Sequence, residues 1–327
     1  MTGIQNGGAN GGGANIFAKK QLPYNDFGTW LNSRFPYKVQ KISVNAGFSC
    51  PNRDGRISFG GCSFCDNNTF NPAYCDSRKS ITGQLDAGKR FFARKYPDMR
   101  YLAYFQAYTN TYAPLDTLKR RYEEALSVDN VVGLVIGTRP DCVDGKTLDY
   151  LEALARQASV IVEYGIESVN DATLARINRG HTFECSRRAI EETAGRGITT
   201  GGHVIVGLPG EDESDNLRQA EIISETKLDI LKIHQLQIIK GTRLAAEYAE
   251  HPFKLYTPEE YATMLTEYIR RLRPTIVLDR FTSQSPGDML VAPRWGLKNH
   301  EFANLLANHM RQTGAYQGQL YSKNLIR

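Results

Sequence analysis

From Tyr37 onward, short runs rich in Val, Ile, Tyr and Phe alternate with longer segments of helical character. This alternation is the tightest constraint on what the chain can fold into. The strand-like runs are 38–45, 101–107, 131–137, 160–165, 200–206 and 230–236, with the β-branched and aromatic content that suits a pleated surface. Helical segments lie between them, near 80–95, 115–127, 144–157, 184–195 and 213–226, and Asp144 stands where an N-cap would start the third. Six successive βα units predict an α/β fold, a parallel sheet with helices outside it. An open doubly wound sheet and a barrel both satisfy the pattern. After Pro258 a helical stretch, a short strand at 276–278 and a helix near 298–311 form an extension. The expected organisation is a flexible Gly/Asn-rich tail at 1–15, a core at 16–257 containing a loop at 46–66, and a C-terminal extension at 258–327. The tail has too little apolar surface to offset the entropy of ordering.

In a βα barrel, chemistry sits at the C-terminal ends of the strands. Alternation along a strand then selects the inward side chains. One face of the fourth run carries Ile161, Glu163, Gly165 and Glu167. One face of the fifth carries His203, Ile205 and Gly207, and one face of the sixth carries Lys232 and His234. Asn45 and Gln106 end two others. Buried polar groups are costly unless paired, so their recurrence over five strands points to a polar lumen rather than a packed apolar centre.

At 327 residues the chain can bury a full core without disulfides. No apolar run approaches the roughly 20 residues of a membrane span. The N-terminus has neither a basic nor an apolar signal region, so a cytoplasmic location with no membrane contact is the expectation. The net charge of +5 is uneven: residues 270–327 carry nine Lys/Arg and three Asp/Glu. A basic C-terminal region on a near-neutral body is suited to phosphate, although charge alone specifies no partner.

The sharpest motif is Cys50-x11-Cys62-x2-Cys65, in NAGFSCPNRDGRISFGGCSFC after the first predicted strand. Pro51, Asp54-Gly55 and Gly60-Gly61 are turn formers that let the loop fold back, so three thiolates can converge. A structural zinc site needs a fourth ligand, which would be Cys75 or a distant histidine. An electron-transfer [4Fe–4S] cluster also takes four cysteines. A three-cysteine cluster leaves one iron open to a substrate or cofactor, and three buried structural thiols are the plainest reading. Cys75, Cys142 and Cys185 have no local partner and read as buried free thiols.

With this motif the sequence resembles the radical S-adenosylmethionine enzymes. The wide first gap is shared by a branch similar to the radical domain of the Elongator catalytic subunit, and more closely by stand-alone YhcC/YtqA-type proteins. The matching pieces include GGCSFC, YFQAYTNTYAP, IGTRPDCV, VEYGIES, INRGHT, GHVIVGLPGE, KIHQLQIIKGT and VAPRWGLK, spread over roughly residues 38–298. The resemblance implies a partial (β/α)6 TIM-like barrel. It assigns Cys50, Cys62 and Cys65 to a [4Fe-4S] cluster whose open iron takes the methionine part of S-adenosyl-L-methionine. Phe64 falls beside the adenine, and Gln106 and Thr109 occupy the place of a GGE-type motif for the methionine amino group, although no GGE is present. Glu167 matches a ribose contact, Arg179 a carboxylate partner, and Val206-Gly207 an adenine-contacting segment.

The resemblance further implies reductive cleavage of S-adenosylmethionine to a 5′-deoxyadenosyl radical, with electrons from a reducing partner such as flavodoxin or ferredoxin. Lys232 and His234 are the candidates for orienting substrate or moving a proton. Tyr108 and Tyr112 are candidates for the entrance, and Trp295 for stacking on a base. Kinship with the Elongator radical domain points to a modified wobble uridine in tRNA as substrate. A small metabolite or protein substrate is the enzymatic alternative. A zinc- or cluster-stabilised RNA-binding module without turnover is the non-enzymatic one.

Overall fold

A computed structural model describes residues 22–92 and 98–322. The tail expected at 1–15 lies outside the described residues. The strands are β1 (Val39–Val44), β2 (Arg100–Phe105), β3 (Val131–Thr138), β4 (Ser159–Glu167), β5 (Thr199–Val206), β6 (Ile230–Gln235), β7 (Ile238–Ile239), β8 (Val277–Arg280) and β9 (Leu290–Ala292). The helices are α1 (Phe27–Arg34), α2 (Ile81–Phe92), α3 (Leu115–Leu126), α4 (Gly145–Ala155), α5 (Asp171–Arg176), α6 (Phe183–Gly195), α7 (Glu213–Glu225), α8 (Arg243–Glu250), α9 (Pro258–Arg271) and α10 (Asn299–Thr313).

Seven strands pair in the order β1-β2-β3-β4-β5-β6-β8, all parallel. They curl into a partial TIM barrel that stays open between β1 and β8. The barrel alternative of the sequence is therefore the one realised, and the strand near 276–278 is its seventh member. Outward side chains such as Phe105, Ile136, Val162, Tyr164, Val204 and Ile233 pack under the helices in one core. Side chains at α-helical spacing cover them, for instance Leu148, Leu151 and Leu154 of α4. Asp144 caps α4 as predicted, its carboxylate accepting from Thr147 N.

A second apolar cluster closes the N-terminal end of the barrel. It joins Leu102, Tyr104, Val135, Ile161, Ile230 and Val277 to Phe27 of α1. Helix α1 was absent from the sequence expectation, because eight residues with one buried side chain leave little periodicity to read. Asp26 caps it, and the Asp26 backbone bridges to Leu278 at the open edge of the sheet. The α5 and α8 helices and the β7–β9 pair were likewise not foreseen, each being too short to show a period. The β7–β9 pair folds the 281–289 segment over the C-terminal ends of the strands, where Ser283 N donates to Gln235 Oε1 at 2.9 Å.

Two ladder irregularities shape the inner face of the sheet. Between β4 and β5 the register shifts after Gly165, and Glu167 takes a left-handed backbone with φ 68°. Between β6 and β8, Leu231 pairs with Leu278 but Lys232 pairs with Arg280, leaving Asp279 as an extra residue. Such bulges re-aim side chains that would otherwise alternate between faces.

Candidate active site

The inner faces of the strands open into one cavity at their C-terminal ends, an empty space of about 1180 Å³ that includes its solvent-open mouth. Cys50, Cys62 and Cys65 all line it. The loop returns on itself through backbone turns: Arg53 N and Asp54 N both donate to the Cys50 carbonyl, at 2.8 and 3.1 Å. Gly61 has φ 79°, and a Cβ there would stand 2.9 Å from Arg53 Nε, so only glycine closes the turn.

Two of the three sulfurs face N–H donors. Asn52 Nδ2 and Arg179 Nη1 each point at Cys62 Sγ from 3.6 Å, and Asn67 Nδ2 points at Cys65 Sγ from 3.7 Å. Donors around a sulfur stabilise its anionic, metal-bound form. Burial, and next the Cys62 sulfur, push the Cys65 thiol up to about 12, against the pull of Arg53 and Arg179. That thiol stays protonated at neutral pH until a metal displaces its proton. Among the described residues no three His, Cys, Asp or Glu side chains converge on a single ion. The wall also holds two guanidinium nitrogens that are buried without a partner, Arg139 Nη1 and Arg179 Nε. Three thiols on one cavity wall, two of them facing N–H donors, beside unspent cationic donors, suit an anionic cluster and a carboxylate-bearing cofactor.

The predicted cofactor residues fall into two sets. Phe64, Gln106, Thr109, Glu167 and Arg179 line the same cavity as the cysteines. Arg179 Nη2 donates to the Gly165 carbonyl at 2.6 Å and lies 3.6 Å from Glu167 Oε1. A Cβ on Gly165 would be 2.5 Å from that guanidinium, so the missing side chain is what lets it lie there. Val206 and Gly207 do not line the cavity, contrary to expectation. Val206 alternates outward into the helix-covered core, and Gly207 turns away at the strand end against Tyr256.

At the inner end of the lumen the side chains form a buried ionic network around Glu163. Lys232 Nζ donates to Glu163 Oε2 at 2.7 Å and to Tyr104 OH at 3.0 Å, and stands 3.4 Å from Asp279 Oδ2. Lys41 Nζ reaches Asp279 Oδ2 at 2.6 Å and Glu163 Oε1 at 3.3 Å, tying β1 to β8 across the open seam. Its charge also lies 4.2 Å over the Phe27 ring. Burial alone would push the Glu163 carboxyl up, but Lys232 and then Lys41 hold it well below the usual carboxylate range.

His203 Nε2 lies 3.0 Å from Glu163 Oε2. An ionised carboxylate can only accept, so that nitrogen carries the hydrogen. Arg280 Nη2 donates to His234 Nε2 at 3.1 Å. A guanidinium can only donate, so the His234 hydrogen sits on Nδ1. Burial, followed by the charge of Arg280, holds His234 well below its usual range, and it is neutral at pH 7.

Lys232 therefore corrects one expectation. Its ammonium donates to Tyr104 and Glu163 and lies in ion-pair range of Asp279, and it does not line the cavity; His234 does. Tyr108 lines the cavity, in a left-handed backbone with φ 66°, but Tyr112 does not, and Arg56 covers its ring. Asn45 does not line the cavity; its Oδ1 accepts from Gly47 N at 3.0 Å, and its backbone N–H is held by Gln84 Oε1 at 2.8 Å. Trp295 is packed against Phe302 and donates to the Tyr256 carbonyl at 2.9 Å, so it is no free stacking platform. Arg270 and Arg271 pair with Glu267, and Arg273 donates to the Leu228 carbonyl, so these three C-terminal cations are engaged within the chain.

Sequence reading missed Lys41, Asp279 and Arg280. Lys41 shares the parity of Asn45 on β1 and was legible by the alternation already used. Asp279 and Arg280 were not, because the bulge turns both neighbours inward.

A barrel with three cysteines on one loop beside a polar lumen defines a cluster-dependent enzyme of the radical type. Known proteins agree: residues 50–220 match the Radical SAM superfamily and residues 228–312 the Radical_SAM C-terminal domain. The chain belongs to the Radical SAM superfamily, and its cofactors are a [4Fe-4S] cluster and S-adenosyl-L-methionine. It is similar to YhcC of Escherichia coli, 40% identical over 83% of this chain and 87% of that protein. It is also similar to YtqA of Bacillus subtilis, 30% identical over 94% and 95%. A tRNA uridine(34) acetyltransferase of Methanocaldococcus jannaschii is 28% identical over 56% of this chain and 33% of that protein. The solved structure of Elp3 from Methanocaldococcus infernus shares the fold with a TM-score of 0.64 at 17% identity, covering 89% of this chain and 68% of that one. Among the described residues no helix is long and apolar enough to cross a membrane.

Proposed function

We propose that this member of the superfamily is an enzyme that remodels an existing substituent on the wobble uridine of tRNA. The observation that carries the enzymatic part is the shared cavity: Cys50, Cys62 and Cys65 at its mouth and a paired, polar lumen behind them. The uridine part rests on similarity to a tRNA uridine(34) acetyltransferase. Cys50, Cys62 and Cys65 hold the cluster, and Phe64, Gln106, Thr109, Glu167 and Arg179 hold S-adenosylmethionine. When bound, these groups supply reductive cleavage of the sulfonium and a carbon-centred radical able to take hydrogen from an unreactive carbon, with electrons from a flavodoxin- or ferredoxin-type donor. Arg179 and Arg139 present cationic donors to a carboxylate. Glu163 fixes the His203 ring, and His234 offers a neutral imidazole to the bound substrate. The buried network excludes water from this end of the lumen.

A small-metabolite substrate is the second reading, favoured by the local pairing of Arg270, Arg271 and Arg273 and by the packed Trp295. The test is anaerobic reconstitution with iron and sulfide, reduction by dithionite, and assay of 5′-deoxyadenosine with and without bulk tRNA. The expected result is product from the wild type, increased by tRNA, and none from a Cys50/Cys62/Cys65→Ala variant. Product that tRNA never increases, with an unchanged tRNA nucleoside profile in a deletion strain, refutes the uridine reading.

A further inference from the structure

The inner lumen carries one guanidinium that the network does not use. Asp279 and Arg280 are consecutive residues of β8, and in a regular strand they would face opposite sides of the sheet. The bulge opposite Lys232 turns both inward. Asp279 joins the network by pairing with Lys41 and Lys232. Arg280 reaches the cavity wall, and among the described residues no carboxylate pairs with it. Its one hydrogen bond goes to the neutral ring of His234, and its Nε is buried without a partner. Lys41, Lys232 and Arg280 face Glu163 and Asp279, with His203 and His234 held neutral by burial, so the inner lumen has an excess of one positive charge. Gln237, Ser283 and Ser285 line the wall beside it with uncharged hydrogen-bonding groups. A half-buried guanidinium whose Nε is buried with an unspent donor is costly unless a further acceptor completes it.

We propose that Arg280, braced by His234, is the anchor for an anionic group of the substrate, a carboxylate or a phosphate. The planar fork of the guanidinium offers paired donors to either group. His234 accepts one Arg280 proton and so fixes the rotation of the fork. This inference rests on the reading that the substrate occupies the lumen, but it holds for a tRNA or a small metabolite.

The test uses cluster-loaded wild type, R280K and R280Q, titrated calorimetrically with inorganic phosphate and with acetate. The expected result is binding of at least one anion by the wild type, at least tenfold weaker in R280Q and partly restored in R280K. Iron content and S-adenosylmethionine affinity should stay unchanged. Preference for acetate identifies a carboxylate on the substrate, and preference for phosphate a phosphate. If the wild type binds neither anion, or R280Q binds both equally well, the proposal is overturned. If R280Q loses S-adenosylmethionine, the guanidinium serves the cofactor and the proposal is again overturned. Arg280-dependent anion binding in a protein that tRNA never stimulates supports this inference while the uridine reading fails.

Discussion

Replacing Glu163 by Gln tests whether the ionic network around it holds the barrel together. Glu163 is fully buried and contacts two ammonium groups and an imidazole. The substitution keeps a hydrogen-bonding oxygen but removes the charge, leaving Lys41 and Lys232 with Asp279 alone. Removing one partner of a buried ion pair costs about 3–5 kcal/mol, and the retained oxygen places this case near about 3 kcal/mol. Unfolding entropy of about 2.1 cal/mol/K per residue over 327 residues makes that a fall of about 4 °C in melting temperature. Urea unfolding followed by circular dichroism measures it directly. The E163Q/K232M double variant should lose at least about 1 kcal/mol less than the sum of the single losses, because the two charges are removed together.

The pH dependence gives a second reading of the same experiment. The folded Glu163 carboxyl titrates well below its unfolded value. Its contribution is complete above the unfolded carboxylate range, about pH 4.3, and is lost as pH falls from there toward the folded value. The gap between wild type and E163Q should therefore be level near neutrality and shrink on acidification. A variant within about 0.5 kcal/mol of wild type at pH 7, or a gap that acid does not narrow, would show that the network does not hold the barrel.

Three further substitutions probe the scaffold. At Gly133 a Cβ would stand 2.2 Å from the Ser159 carbonyl on β4, so G133A should destabilise by about 1–3 kcal/mol, whereas Gly195 at the end of α6 meets nothing within 4 Å and G195A should be neutral or stabilising; denaturant midpoints compare them. Asp212 caps α7 in a reciprocal capping box with Asp215, and D212A should lower the denaturant midpoint in the same unfolding curves.

The repeating βα order, the six principal strands and the loop that carries Cys50, Cys62 and Cys65 to the cavity wall are all legible in the amino-acid sequence. They follow from local periodicity and turn chemistry, which are written in neighbouring residues. Alternation, a local rule, also places Glu163, His203 and His234 inward. Three-dimensional packing is what curls the sheet and leaves it open, completes it with β8 from the C-terminal region, and plugs its lower end with α1. Packing also consumes Lys232 with Glu163, Asp279 and Tyr104 rather than offering it to a substrate. The physical reason is common to these. An ammonium's availability depends on which charges other strands bring within about 4 Å, and Lys41, Glu163 and Asp279 are far apart in the chain. Arg280 is the sharpest case: alternation sends it and Asp279 to opposite faces, and only the β6–β8 register, a property of two strands, turns both into the lumen.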